Sequence, residues 1–411
     1  MVKEQFSKFY KFKLIIILAF MSSLAPLATD MYLPALGEVQ KSFATNSFLT
    51  QLSLASFFIA FSLGQLAYGP LSDVYGRKKP LYGGILLFIL SSIACISIDS
   101  IYTFIFFRFT QALGGCVGVV IAIAIVNDKF NVKEAAGIFA LMMVVSSLAP
   151  MLAPTFGGIF LDYFSWKAIF SVLFGLGILL FLMIMFGLDE SAKIDKTLNL
   201  SPKSVWQNYK FILKDRRFRI YVFSAGFALA AMFAYITGSP FVFIEHFGLS
   251  QKEYGIVFGI NALGFTIFAN INAKLVQKLS PYQILPYAFL SMLCLAILLT
   301  IAGFMGLGFI CIEIFIFLTV GSLGFIVPNT TTLAMARFKQ KSGSASAILG
   351  TSEFAIAGII SFIVGAFKAN HPFSLAIIMV TCVLIACTIY LSLNKKRFLS
   401  GKNSSLTQFC R

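Results

Sequence analysis

Gly69-Pro70-Leu71-Ser72-Asp73-Val74-Tyr75-Gly76-Arg77-Lys78-Lys79-Pro80 is a short charged segment between two long apolar runs, 50–71 and 80–98. Each run has the length, roughly 20 residues, that a helix needs to cross the hydrocarbon core of a bilayer. Gly69 and Gly76 permit a tight turn between them. The Arg77-Lys78-Lys79 triplet marks the turn as one that stays on the cytoplasmic side. Asp73 is placed to sit against a helix N-terminus, where a carboxylate gains about 0.3–1 kcal/mol. Two membrane helices joined by a basic turn are the first unit of the fold.

The same unit repeats along the chain. Further apolar runs fall at roughly 14–35, 101–126, 137–160, 167–187, 218–241, 254–273, 283–303, 308–330, 345–366 and 374–393, which predicts twelve spans. Composition agrees: of 411 residues, 59% are hydrophobic and 12% charged, against about a quarter charged in a soluble domain. Lys3, Lys8, Lys11 and Lys13 ahead of the first run resemble the start of a secretion signal. With so many apolar runs behind it, a retained first span is expected instead.

Charge fixes the orientation. Of the lysines and arginines, Lys41, Lys167, Lys252 and Lys368 fall in loops on one side and Arg108 falls within a span; all the others lie in the termini and the loops of the opposite side. The positive-inside rule puts both termini in the cytoplasm. Topology thus accounts for the net charge of +16; no nucleic-acid-binding motif accompanies it, and no nucleic-acid partner is expected. The seven cysteines form no C-x-x-C pair and the two histidines, His246 and His371, lie in loops, so neither a metal site nor any cofactor is expected. There is no phosphate-binding loop and no nucleophile elbow. ATP is excluded as direct fuel within this chain, and an enzyme is not expected.

The longest and most basic loop, 189–217, divides the chain into an N-terminal six-helix bundle (1–188) and a C-terminal one with a short cytoplasmic tail (218–411). Trp206–Leu213 within it reads as an interfacial helix.

Inside the spans, polar residues stand out. Arg108 opens Arg108-Phe109-Thr110-Gln111-Ala112-Leu113-Gly114-Gly115 in span four. An arginine in a membrane costs about 2.5–3.5 kcal/mol on insertion scales, so it has a partner and a task. Span five carries Ala149-Pro150, Ala153-Pro154 and Gly157-Gly158; prolines interrupt helix hydrogen bonds and small residues let a neighbouring helix approach. Span one ends Thr29-Asp30-Met31-Tyr32-Leu33-Pro34-Ala35, and an acid there is placed to exchange a proton. Glu353 falls near mid-depth in span eleven, whereas Glu313 lies nearer an end of span ten, as interfacial residues do.

These motifs resemble those of the major facilitator superfamily. The loop from Gly69 matches its signature G-x-x-x-D-R-x-G-R-R, with Val74 in place of a basic residue. Span four resembles R-x-x-Q-G with Ala112 for the glycine, and span five resembles the antiporter motif G-P-x-x-G-G with Ala153 in the first position. The segments Leu148–Pro154, Trp166–Phe170, Tyr235–Phe241, Asn261–Gly264, Pro328-Asn329 and Gly343–Ala347 are similar to the Bcr/CflA subfamily of twelve-span drug:proton antiporters. The resemblance implies an all-α membrane protein of two six-helix bundles with its substrate site near midplane between them. It implies that Asp73 and Arg77 latch the halves, against the start of span eleven near Ser342–Ser346, and that Arg108 serves proton coupling. It also implies export, through Pro150, Pro154, Gly157 and Gly158.

The expected function is a proton-coupled multidrug efflux antiporter, a monomer among inner-membrane lipids whose partners are protons and small molecules. The alternative is an exporter of an endogenous metabolite or siderophore on the same fold. Three acids against one base in the spans favour neutral or cationic amphiphiles. Proton and substrate are expected to compete for a shared acid, Asp30 first and Glu353 second. Arg108 stabilises the ionised acid, Gln111 stands beside it, and Tyr32, Phe233 and Tyr235 line an apolar cavity.

Overall fold

The computed structural model describes residues 8–130, 138, 142, 152–191, 202–338 and 342–392. Among them the chain is helical throughout: α1 Lys8–Asp30, α2 Leu36–Ser42, α3 Ser47–Tyr75, α4 Lys78–Ser97 and α5 Ile101–Lys129; α6 152–163; then α7 Lys167–Gly187, α8 Pro202–Lys214, α9 Arg216–Pro240, α10 Gln251–Leu275, α11 Pro281–Phe304, α12 Phe309–Met335, α13 Ser342–Ala366 and α14 Pro372–Leu391. Eleven helical segments among the described residues are long and apolar enough to cross a membrane. The start of the fifth predicted span, with Pro150, lies outside the described residues, as does 192–201 of the linker.

Several helices run a turn past the predicted apolar windows because polar ends still satisfy the helical ladder. Asn46 starts α3 by accepting from Leu49 N (3.0 Å). Ser250 and Glu253 make a reciprocal capping box at α10. The basic turn differs from expectation: α3 continues through Gly69 and Pro70 to Tyr75, and the chain reverses only at Gly76, whose φ of +84° is the left-handed conformation that favours glycine. Gly69 is an ordinary helical position with open space around it. Pro70 omits one hydrogen bond, which a long, packed helix tolerates.

Two sets of helices pack among themselves: α1, α3, α4, α5 and α7, and separately α9 to α14. Close packing follows the small residues. A Cβ on Gly118 would stand 2.2 Å from the Met21 carbonyl oxygen, bringing α5 onto α1, and one on Gly324 would stand 2.5 Å from Ala269 N, bringing α12 onto α10.

The sets meet along α3 and α13. Ser62 Oγ donates to the Thr351 carbonyl (2.9 Å) and Thr351 Oγ1 donates back to that of Ser62 (3.4 Å), while Phe61 meets Phe354 at 4.4 Å. A second junction lies at the face opposite the basic loops, here called the far face. There Thr155 Oγ1 donates to the Gly255 carbonyl (3.0 Å), and a cleft opens between Pro34–Lys41 and Pro240–Glu245.

Candidate functional site

Arg108 sits in α5, fully buried. Its Nη1 donates to Gln111 Oε1 (2.6 Å) and to the Ala28 carbonyl (3.1 Å). Gln111 is held by its own donation to Ser92 Oγ (2.8 Å). Aromatic faces close round the guanidinium: Phe57 at 4.5 Å, Tyr32 at 4.8 Å and Phe170 at 5.6 Å. Tyr32 is fixed through Ser53 Oγ (2.9 Å). Cation–π attraction in so dry a place is strong, about 2 kcal/mol or more per good contact. Yet Nε and Nη2 are buried without a partner. Among the described residues Arg108 makes no ion pair; the Ala28 carbonyl, Gln111 and three rings surround it.

Asp30 is buried at the end of α1. It lies within electrostatic reach of Tyr254 on α10, near the far junction. Glu353 lies on α13, which packs on both α3 and α9; its Oε1 is buried and unpartnered, and Phe354 beside it joins Phe58, Phe61 and Phe233. Tyr32 and Phe233 are not neighbours: the first belongs to the Arg108 cage, the second to this aromatic cluster. Tyr235 is elsewhere again, accepting from Asn261 Nδ2 (2.9 Å), which also donates to Glu313 Oε1 (2.8 Å). Glu313 therefore turns inward rather than lying at the interface. Its place in the first turns of α12 hid this, since position along a helix does not tell which way it faces.

On the basic face, Arg77 Nη1 donates to Asp73 Oδ1 and Ser72 Oγ (both 2.7 Å), and Nε and Nη2 grip Asp128 at the end of α5 (2.9 and 3.3 Å). These carboxylates outweigh burial and hold the guanidinium pKa above its usual value. The helix N-terminus expected for Asp73 is occupied by Glu190, which accepts from Arg77 N (2.9 Å) and Lys78 N (3.0 Å) at the start of α4. Asp73 is instead in the last turn of α3. Among the described residues the ion pairs of Asp73 and Arg77 lie within the first set of helices, while the Ser342 and Gly343 end of the expected latch lies outside the described side chains. Asp73 also stands near Tyr209 of α8; burial first, then this carboxylate, pushes the Tyr209 phenol upward. α8 covers the residues read as an interfacial helix and itself touches α13.

At the far face, the glycines of span five make backbone contact. A Cβ on Gly157 would stand 2.3 Å from the Met31 carbonyl oxygen, and one on Gly158 2.6 Å from that of Gln251. A Cβ on Gly255 would meet the Pro154 carbonyl oxygen at 2.6 Å. The motif is thus where α6 joins the end of α1 to the start of α10. Across residues 18–362 the sequence matches the profile of the Major Facilitator Superfamily.

The chain belongs to the major facilitator superfamily. It is 36% identical over 392 residues to the "Uncharacterized MFS-type transporter YdgK" of Bacillus subtilis (strain 168), covering 94% of this chain and 96% of that relative. It is 28% identical over 389 residues to the "Bicyclomycin resistance protein homolog" of Haemophilus influenzae, covering 95% and 98%. The "Multidrug transporter MdfA" of Yersinia pestis bv. Antiqua (strain Angola) is 30% identical over 264 residues, 64% of each chain. The resemblance to the bicyclomycin resistance group therefore holds along nearly the whole length. Solved structures share the fold: a bacterial homolog of the human lysosomal transporter Spinster, inward-facing, at TM-score 0.75 over 97% of this chain and 100% of that one, and the D-xylose-proton symporter at 0.73 over 92% and 97%, each at 14% identity. The protein is a multi-pass membrane transporter of small molecules with the major facilitator fold.

Proposed function

We propose that this transporter is a proton-coupled antiporter that exports small amphiphilic toxic compounds across the inner membrane, with both termini in the cytoplasm and the monomer as working unit. Its halves, 1–188 and 218–411, rock about a central site while the 189–217 linker stays on the cytoplasmic side. The observation that carries the reading is Asp30: a buried carboxyl, without an ion pair among the described residues, at the junction between the two sets of helices. A lone buried charge is costly and is relieved by taking up a proton or a cation. One acid that accepts either, but not both, makes the two exchange. Glu353 has the same character beside an aromatic cluster suited to apolar bodies, and is the second candidate. The names of the bicyclomycin-resistance and multidrug relatives favour toxic compounds as cargo. Export follows from the span-five motif, and Arg108 acts by keeping Tyr32 and the end of α1 in place for Asp30.

The test is exchange by everted membrane vesicles under an imposed pH gradient, following ethidium and chloramphenicol. Wild-type exchange is expected to collapse with a protonophore, and Asp30→Asn to reduce it at least about tenfold, the effect of about 1.4 kcal/mol. If Asp30→Asn and Glu353→Gln both keep full gradient-driven exchange, neither acid couples transport. Metabolite profiling of the medium of a deletion strain separates the reading from its alternative: loss of an endogenous product with unchanged drug susceptibility assigns metabolite export.

A further inference from the structure

Glu313 has one hydrogen bond, from Asn261 Nδ2 to Oε1 at 2.8 Å. The same amide nitrogen donates to Tyr235 OH at 2.9 Å. That leaves Glu313 Oε2 and Asn261 Oδ1, both acceptors, buried and unpartnered. Asn261 itself is 1% exposed. Around the carboxyl, α9 supplies Tyr235 and Ser239, and α10 supplies Asn261 and Tyr254, whose hydroxyl bonds Ser239 Oγ at 3.0 Å. Tyr235 also lies in reach of Ser239, and Asp30 of α1 lies beyond Tyr254. α11 and α13 also pack on α12, yet among the described residues no ion pair and no other hydrogen bond reaches Glu313.

An ionised carboxylate with one hydrogen bond and no cation is poorly served in so dry a place, and a proton removes the charge. The proton also gives the idle Asn261 oxygen a use. The ends of an amide are nearly the same shape, so Asn261 can turn. Its Oδ1 then accepts from the Glu313 carboxyl O–H and from the Tyr235 O–H together. One set of atoms thus has two hydrogen-bonded arrangements, one for each protonation state.

We propose that Glu313 is a second proton-binding residue of this transporter and that Asn261 reads its state, passing it through Tyr235, Ser239 and Tyr254 to Asp30. With Glu313 ionised, Asn261 donates to Tyr235, Tyr235 to Ser239 and Ser239 to Tyr254, so the Tyr254 O–H turns away from Ser239 and its dipole acts on Asp30 through space. With Glu313 protonated, every hydroxyl in the row reverses and Tyr254 donates back to Ser239. Asp30 then loses the favourable orientation of the Tyr254 dipole, so the two acids take up protons together. This deepens the antiport reading and rests on it for the role in transport, though not for the protonation itself.

The experiment is infrared titration of the purified protein in lipid nanodiscs, without substrate, from about pH 5 to about pH 9, following the C=O absorption of protonated carboxyls. Glu313→Gln is expected to remove one component; Glu313→Asp, kept as a variant that retains the acid, to shift it. Tyr235→Phe is expected to move its frequency and to displace the titration of the Asp30 component, identified by its loss in Asp30→Asn. A spectrum that Glu313→Gln leaves unchanged at every pH overturns the proposal. A Tyr235→Phe spectrum identical to wild type overturns the relay. Ethidium exchange in everted vesicles is read alongside. Gradient-independent exchange by the wild type sinks the antiport reading while the Glu313 component stands; gradient-driven exchange with no Glu313 component sinks this inference alone.

Discussion

Gly158 on α6 packs backbone to backbone against Gln251 at the start of α10, so that a methyl group on the glycine would stand 2.6 Å from the Gln251 carbonyl oxygen. The listener to this contact is rigid main chain at a capped helix start, which cannot swing aside as a side chain would. Gly158→Ala is expected to force α6 and α10 apart and to widen the far face. Spin labels at Lys41 and Lys252, both exposed there, report the change by double electron–electron resonance as a longer mean distance or a new long component. An unchanged distribution means that the contact does not hold the far face shut.

The Arg108 site is expected to depend on shape as well as charge. Arg108→Lys keeps the cation, but an ammonium is a compact point charge without a planar fork. It cannot bond Gln111 and the Ala28 carbonyl while lying against Phe57 and Tyr32. Gradient-driven ethidium exchange in vesicles is expected to fall about tenfold or more, which corresponds to roughly 1.4 kcal/mol. Gln111→Ala, which leaves the carbonyl and the rings, is expected to lose less. Full activity in Arg108→Lys means that a positive charge alone suffices there.

Much of this architecture is legible in the sequence, because a bilayer demands long apolar runs and a charge imbalance marks their orientation. The predicted 167–187 matches α7 Lys167–Gly187 residue for residue. What the sequence hides is direction around each helix. Glu313 lies four residues into α12, a depth at which an acid can reach either water or the interior, and only the packing of α10 turns it to Asn261. Glu190 follows the end of an apolar run and carries no motif, yet it takes the α4 N-terminus expected for Asp73. Arg108 announces itself as a buried charge, but its carbonyl and aromatic partners come from α1, α3 and α7, and no local spacing foretells them.

Arg77 gathers Ser72, Asp73 and Asp128 on one guanidinium that is only 12% exposed. Exposed ion pairs contribute little, about 0–1 kcal/mol, but this one is two-pronged on Asp128 and largely shielded from water. Arg77→Ala is expected to destabilise the α3–α4 turn by about 1.5–3 kcal/mol, the range for hydrogen bonds to charged groups. Asp73 is 58% exposed against 22% for Asp128, so Asp128→Asn is expected to cost more than Asp73→Asn. Melting of the purified protein in detergent checks the order. Equal losses from the two aspartates mean that burial does not rank them.

Asp215 ties two helix ends of the second half together. It caps α9 by accepting from Phe218 N (2.8 Å) and takes Arg337 Nε at the end of α12 (2.8 Å). Burial raises its pKa, but the Arg337 hydrogen bond and the helix N–H groups outweigh this and leave it below the ordinary 3.8. A depressed carboxyl lends stability above its unfolded pKa and loses it as pH falls through the folded value. The contribution is therefore complete at neutral pH and fades below about pH 4. Asp215→Asn is expected to lower the melting temperature at neutral pH, the asparagine retaining part of the cap but not the ion pair. As the medium is acidified past pH 4, wild type and variant are expected to converge. A gap that persists at low pH means that the cap, not the charge on Asp215, secures the junction of α9 with α12.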